Sequence, residues 1–188
     1  MIRDLILKNR SYRRFYQDAI NKDTLKELVD LARNSASASN RQALKYILSC
    51  DPETNTKIFP LLGFAAQLRD WHGPVEGERP TAYIIILLDT EIAKGAGCDH
   101  GIAAQSILLG ATEKGLGGYM HGSAKKPELM QALNIPAKFE IQLVLSLGKP
   151  KEEVMLENVG PDGKTSYWRD EKQVHHVPKR SLVEIIIG

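Results

Sequence analysis

The chain has 188 residues, 43% of them hydrophobic and 26% charged, and its 25 Lys plus Arg nearly balance its 23 Asp plus Glu to leave a formal charge of +2. This is the composition of a globular protein of one ordinary domain, not of a disordered or fibrous chain, and so even a balance gives no electrostatic footprint for nucleic acid or a membrane surface. Asp4 and Lys8 interrupt the apolar positions of the first ten residues, no run approaches the ~20 apolar residues of a membrane span, and Cys50 and Cys98 form neither a disulfide framework nor a zinc motif, so a reducing cytoplasm is the expected compartment.

Leu5 and Ile6 begin a short helix that stops near Asn9, and Asn21-Lys-Asp-Thr24 offers caps for a second helix with Leu25, Leu28, Val29 and Ala32 at helical spacing. Ser35 to Asn40 is a small polar loop leading into a strand at Tyr46–Cys50. From Asp51 to Pro80, prolines and glycines punctuate short helical pieces such as Phe64 to Asp70, which reads as surface or lid structure. Ala82–Asp89 is apolar on both alternating faces, the pattern of a central strand. Ile102 to Glu113 is a helix apolar around most of its circumference, so it needs cover on several sides and points to a second copy of the chain. Gly115-Leu-Gly-Gly118 ends that helix, a short strand follows at Tyr119–Gly122, and Pro127–Leu133 is a helix with proline in its first turn. Glu140–Leu147 is the next strand, closed by Gly148-Lys-Pro150; a long polar segment then leads to an apolar strand at Leu182–Ile187. No repeat or linker divides residues 1–188, which read as one domain.

Three separated segments share a chemistry: Asn9-Arg-Ser-Tyr-Arg-Arg-Phe15, Ser35-Ala-Ser-Ala-Ser-Asn-Arg-Gln42 and His175-His-Val-Pro-Lys-Arg180. Two are cationic and one is rich in hydroxyl and amide groups. A planar cofactor bearing a phosphate needs such a set, with cations for the phosphate and neutral donors and acceptors for the edge of a heterocycle. Any one of them alone reads more readily as solvated surface. Gly115-Leu-Gly-Gly118 follows a helix and so is no dinucleotide fingerprint, and neither Cys98-Asp-His100 nor His175-His176 has the spacing of a metal site. His121 reads more readily as a partnered strand histidine than as a proton donor.

Arg10-Ser-Tyr-Arg-Arg-Phe15 resembles the Arg-Ser-x-Arg-x-Phe opening of the FMN-dependent nitroreductase family, and Ser37-Ala-Ser-Asn-Arg-Gln42 resembles its Ser-x-x-Asn-x-Gln loop. Gly101–Gly118 is similar to the family's helix and glycine turn, and Leu147-Gly-Lys-Pro150 to its strand-end turn. The resemblance implies an α+β fold: a mostly antiparallel central sheet flanked by helices, in an intertwined homodimer with two FMN sites at the interface. It implies that Arg10, Ser11 and Arg13 contact FMN from one subunit while Ser37 and Asn40 contact it from the other, with Gln42 in the same loop. Lys179 and Arg180 fall where the family binds the phosphate, and Met120, His121 and Gly122 on the strand passing the reactive edge of the flavin. Asn9, Ala36 and Ala43 depart from the family pattern, where an arginine and two prolines are common, and Asn9 puts one phosphate contact in doubt. The implied activity is ping-pong transfer of two electrons from NADH or NADPH to a small acceptor such as a nitroaromatic or quinone, with no side chain acting as nucleophile. Its rivals are a flavin-binding storage or sensor protein and a reductase of the same family specialised for a non-nitro substrate.

Overall fold

The computed structural model describes residues 1–68 and 70–188. Along the chain run α1 (Ile2–Lys8), β1 (Phe15–Tyr16), α2 (Lys22–Arg33), β2 (Leu44–Ser49), α3 (Pro52–Ile58), β3 (Ala82–Asp89), α4 (Asp99–Glu113) and β4 (Gly117–His121). There follow α5 (Lys126–Ala132), β5 (Phe139–Pro150), β6 (Val154–Asn158), β7 (Trp168–Arg169), β8 (His175–Lys179) and α6 (Leu182–Ile185). Helix starts follow local chemistry. The Asn21 side chain accepts the Thr24 N–H at 2.7 Å to cap α2, and Asp51 accepts the Thr54 N–H at 2.8 Å ahead of a first-turn proline in α3.

Every residue of β3 is buried, and its alternation divides the core. Ala82, Ile84 and Ile86 pack with Leu25 and Leu28 of α2 and with Ala104, Ile107 and Ala111 of α4. Tyr83, Ile85 and Leu87 pack on the other face with Ile58 of α3 and Leu129 of α5. In the main sheet β3 pairs antiparallel with β2 on one side and β5 on the other. β5 also pairs antiparallel with β4 and, at its end, with the short β1. A smaller sheet has β8 between β6, to which it is parallel, and β7, to which it is antiparallel.

Several expectations change. Gly148-Lys-Pro150 does not close a strand; it continues β5, because Tyr16 and Phe15 pair with Lys149 and Pro150. The helix expected over Phe64 to Asp70 is absent from the described part, since Phe64 to Leu68 is irregular: Ala65 takes φ 34°, off the helical region, and the Phe64 ring is held between Trp71 and His121, while position 69 lies outside the described residues. The polar segment after residue 150 contains the smaller sheet, and the terminal apolar run is the short α6, which is exposed, instead of a strand. The chain itself covers most of α4, whose Ala103, Ala104, Ile107, Leu108 and Ala111 are buried; Ile102 is left exposed. Among the described residues no helix is long and apolar enough to cross a membrane.

Gly118 is where α4, β4 and β5 meet most tightly. A Cβ there would stand 2.5 Å from Leu108 Cδ2 and 2.7 Å from the Ser146 carbonyl oxygen, and the second atom belongs to a sheet that cannot yield locally. Gly118→Ala is therefore expected to lower stability by about 1–3 kcal/mol, read as a shift in the urea midpoint; a midpoint equal to wild type would show that the strands can separate freely.

Candidate functional site

The cationic segment after α1 is held by its backbone. The Tyr12 N–H donates to the Gly118 carbonyl at 3.0 Å, tying the segment to the start of β4. The next two N–H groups, of Arg13 and Arg14, both donate to Oε1 of Glu152, the latter at 3.3 Å. Oε2 of Glu152 accepts from Arg169 Nη2 at 2.8 Å and lies 3.5 Å from Arg14 Nε. The Glu152 side chain is completely buried, so both oxygens depend on these partners.

Arg13 is 4% exposed, yet no carboxylate contacts its guanidinium among the described residues. The guanidinium lies between two rings, 4.6 Å from the centroid of Tyr119 and 4.9 Å from that of Tyr167. Its Nη1 donates to the Ser11 carbonyl at 3.2 Å and faces His175 Nε2 at the same separation. Since arginine has no lone pair to offer, His175 accepts at Nε2 and carries its proton on Nδ1. Burial first, and then the charge of Arg13, push the His175 pKa down to about 4.

Arg13, Tyr167 and His175 line a cavity of ≈ 280 Å³ that also takes in Asn9, Arg10, Ser11, Met120, Gly118 and Lys179. It contains three permanent cations and no aspartate or glutamate. Arg10 Nε, Arg13 Nε and His175 Nδ1 are buried on its walls without a hydrogen-bond partner among the described residues. Unmet donors of this kind cost free energy unless an acceptor arrives, so the donor set suits an anionic ligand rich in oxygen and nitrogen acceptors, such as a flavin phosphate.

Ser37 and Gln42 line a different cavity of ≈ 290 Å³, together with Asp99, Lys45 and Tyr46. Their loop is strained: Ser39, Asn40 and Gln42 adopt φ of 53°, 51° and 52°. Each such residue costs on the order of 1–3 kcal/mol, a feature concentrated at functional segments. The loop is held by Ser37 Oγ, which accepts the Gln42 N–H at 3.1 Å, and by Asp99 Oδ1, which accepts the Ala38 N–H at 3.0 Å.

The expected site residues thus divide. Arg10, Ser11, Arg13, Met120 and Lys179 come together; Ser37 and Gln42 stand at a second cavity; Asn40, His121, Gly122 and Arg180 line neither. Asn40 is exposed, with Oδ1 accepting from Gln42 Nε2 at 3.2 Å. Arg180 is exposed and turned to Glu184 at 3.4 Å. His121 is directed into the protein, where Nδ1–H donates to the Gly63 carbonyl at 3.0 Å and Nε2 accepts from the Ser146 hydroxyl at 2.6 Å. Sequence reasoning missed Tyr119, Tyr167 and Glu152. Tyr167 and Glu152 lie in a polar stretch without periodicity, and nothing local marks them.

A profile of the nitroreductase family matches residues 6–74 and 77–149. The chain belongs to the nitroreductase family. It is 27% identical over 157 residues, 79% of this chain and 85% of the relative, to an Archaeoglobus fulgidus protein named as an NADH dehydrogenase/NAD(P)H nitroreductase. A nitroreductase family protein from Clostridium novyi shares the fold with a TM-score of 0.69 at 22% identity, covering 98% of each chain. An FMN-dependent nitroreductase from Clostridium difficile superposes with a TM-score of 0.64 at 22% identity, over 81% of this chain and 89% of its own. Lys179 and Arg180 lie beyond the span matched by the nitroreductase profile.

Burial lowers the His121 pKa from 6.5 to about 4. A histidine depressed in the folded state contributes stability that is complete above its unfolded value and is lost as pH falls toward the folded one. Stability of this nitroreductase-family protein is therefore expected to decline between about pH 6.5 and 4, with His121 supplying on the order of 3 kcal/mol of the change and His175 acting in the same window. Urea melts of His121→Gln across that range should give a lower but flatter profile; an unchanged slope would assign the pH dependence elsewhere.

Proposed function

We propose that this nitroreductase-family chain is an FMN-dependent oxidoreductase that passes two electrons from NADH or NADPH to an acceptor such as a nitroaromatic or quinone, by ping-pong turnover. The observation that carries the reading is the cavity with Arg10, Arg13 and Lys179 on its walls and no carboxylate among them. FMN, when bound, supplies the hydride chemistry. Arg10 and Lys179 hold its phosphate, and Arg180, drawn to Glu184, plays a lesser part than its neighbour. Arg13 faces the edge of the ring system that gains negative charge on reduction; fixed between Tyr119 and Tyr167, it needs no reorganisation to stabilise that charge. Met120 and the β4 backbone supply the adjoining wall. The names of the A. fulgidus and C. difficile proteins agree with this assignment of cofactor and reductant.

A cavity of ≈ 280 Å³ falls just short of the roughly 300–1,000 Å³ usual for a ligand site. In this reading a second copy completes it, with its Ser37, Asn40 and Gln42 loop facing the first copy's Arg10 and Arg13. Exposed Ile2, Ile6 and Leu7 on α1, and Leu182, Val183, Ile186 and Ile187 at the other end of the chain, offer apolar surface for such a homodimer. Residues 1–188 then serve as one FMN-binding domain, and free Cys50 and Cys98 suit a reducing cytoplasm.

Purified protein should be yellow, bleach anaerobically with NADH or NADPH and recover its colour when a nitroaromatic or quinone is added. Protein that takes up no FMN would end the reading, and protein that binds FMN without turnover would make it a storage or sensor protein. Lys179→Ala is expected to weaken FMN by about 10- to 150-fold, the equivalent of losing one charged hydrogen bond, and to leave riboflavin affinity unchanged; equal losses for both flavins would move the phosphate elsewhere. Arg13→Gln should lower the two-electron potential by roughly 30–60 mV, taking ~30 mV per 1.4 kcal/mol, at full flavin occupancy in an anaerobic dye titration. An unmoved potential would remove Arg13 from this role.

A further inference from the structure

A third cavity, of ≈ 340 Å³, shares no residue with the two above. Cys50, Phe59, Pro80 and Tyr83 give it apolar walls, and Arg79 and Thr81 also line it. The Arg79 guanidinium carbon rests 4.4 Å from the Phe59 ring centroid. Several other arginines reach carboxylates, as Arg33 does Asp30 and Arg169 does Glu152. Arg79 is half-buried, and its Nε is inaccessible to solvent and has no hydrogen-bond partner among the described residues. The Thr81 hydroxyl is buried and unpartnered in the same way.

Neighbouring polar groups show that this is not the general condition of the region. Asn55 donates to the Thr81 carbonyl at 2.8 Å and accepts from the Ser49 hydroxyl at 2.7 Å, so its amide is engaged on both sides. On the lining of this cavity the unmet capacity belongs to one cation, Arg79, and one hydroxyl, that of Thr81. A buried donor without an acceptor is costly, and a half-desolvated guanidinium binds a carboxylate more strongly than an exposed one does. Glu76, the one acid on the lining, is exposed, so its opposing charge is screened by water.

We propose that this cavity is a second ligand site, which takes a small aromatic carboxylate, its carboxylate on Arg79 and Thr81 and its apolar body against Cys50, Pro80 and Tyr83. The volume lies within the usual range for a small-molecule pocket, roughly 300–1,000 Å³. The site is independent of whether the Arg10–Lys179 cavity holds FMN. For a probe as small as benzoate the dissociation constant should be on the order of 1 mM.

Cys50 provides a reporter, because it lines the cavity as a free, partly buried thiol. In a Cys98→Ser background, which removes the exposed thiol, the rate at which Cys50 reacts with a thiol reagent is measured against benzoate concentration. Saturable slowing is expected, and in the Arg79→Gln variant the half-saturating concentration should rise at least tenfold, since the guanidinium supplies the anion's charged hydrogen bonds. The wild-type protection curve requires no change at Arg79, so it stands even if that variant folds poorly. No slowing up to on the order of 10 mM benzoate, or equal slowing with Arg79→Gln, would overturn the proposal. Benzoate bound only in the Arg10–Lys179 cavity would leave the Cys50 rate untouched and would count against it equally.

Discussion

A carboxylate taken out of water costs several kcal/mol unless every lone pair finds a donor, and Glu152 is such a carboxylate. Its side chain is wholly buried, and its donors come from two places in the chain: the main chain of Arg13 and Arg14 together with the Arg14 side chain, before β1, and Arg169 in β7. Removing one member of a buried set like this costs about 3–5 kcal/mol, because the charges left behind stay desolvated. Glu152 thus ties the segment that carries Arg10, Ser11 and Arg13 to Arg169 of the smaller sheet, alongside the contacts of Arg13 with His175 and of Arg14 with the Gln173 carbonyl. The manner of fastening matters as much. Glu152 spends one oxygen on backbone N–H groups and the other on Arg169 and Arg14, leaving the Arg13 guanidinium uncompensated. Had Glu152 paired with that guanidinium directly, the cavity would have lost the charge that makes it an anion site.

The length of β5 puts Glu152 where it is needed. Up to Leu147 the strand lies in the core, paired with β3 on one edge and β4 on the other. Its last residues run past the core and pair with β1 instead, so the chain emerges at Glu152 beside Arg13 and Arg14. Gly118 lets the same corner close from the other side, since any side chain there would strike Leu108 or the Ser146 carbonyl. The aromatic rings around Arg13 follow from this meeting of elements: Tyr119 is the next residue of β4, and Tyr167 stands just before β7.

Much of the framework was legible because it follows from local rules. The two-faced apolar run of Ala82–Asp89 could only be a strand covered on both sides, and its alternation does divide the core. Asn21 and Asp51 start helices by satisfying an N–H three residues on, a distance the sequence itself supplies. Arg10, Ser11, Arg13, Met120 and Lys179 could be gathered from the family resemblance, and they do share a cavity. Cover for α4 was misjudged because periodicity counts apolar positions without showing how much of the chain's own sheet and α2 lie against them.

What the sequence determined by itself was therefore most of the elements from α1 to β5, the strand that had to be central and the family to which its motifs belong. Each depends on residues within one turn or one strand of each other, or on an ordered pattern of motifs. Tertiary structure alone decided that Glu152 clamps Arg13 and Arg14 across 139 and 138 positions and that Tyr119 and Tyr167 enclose the guanidinium. It decided, too, that His121 turns inward to Gly63 and Ser146 while Arg79 Nε has no acceptor among the described residues. Those outcomes rest on which distant groups share a desolvated space, and burial, which sets the cost of every unpaired charge and hydrogen bond, has no local signature in the chain.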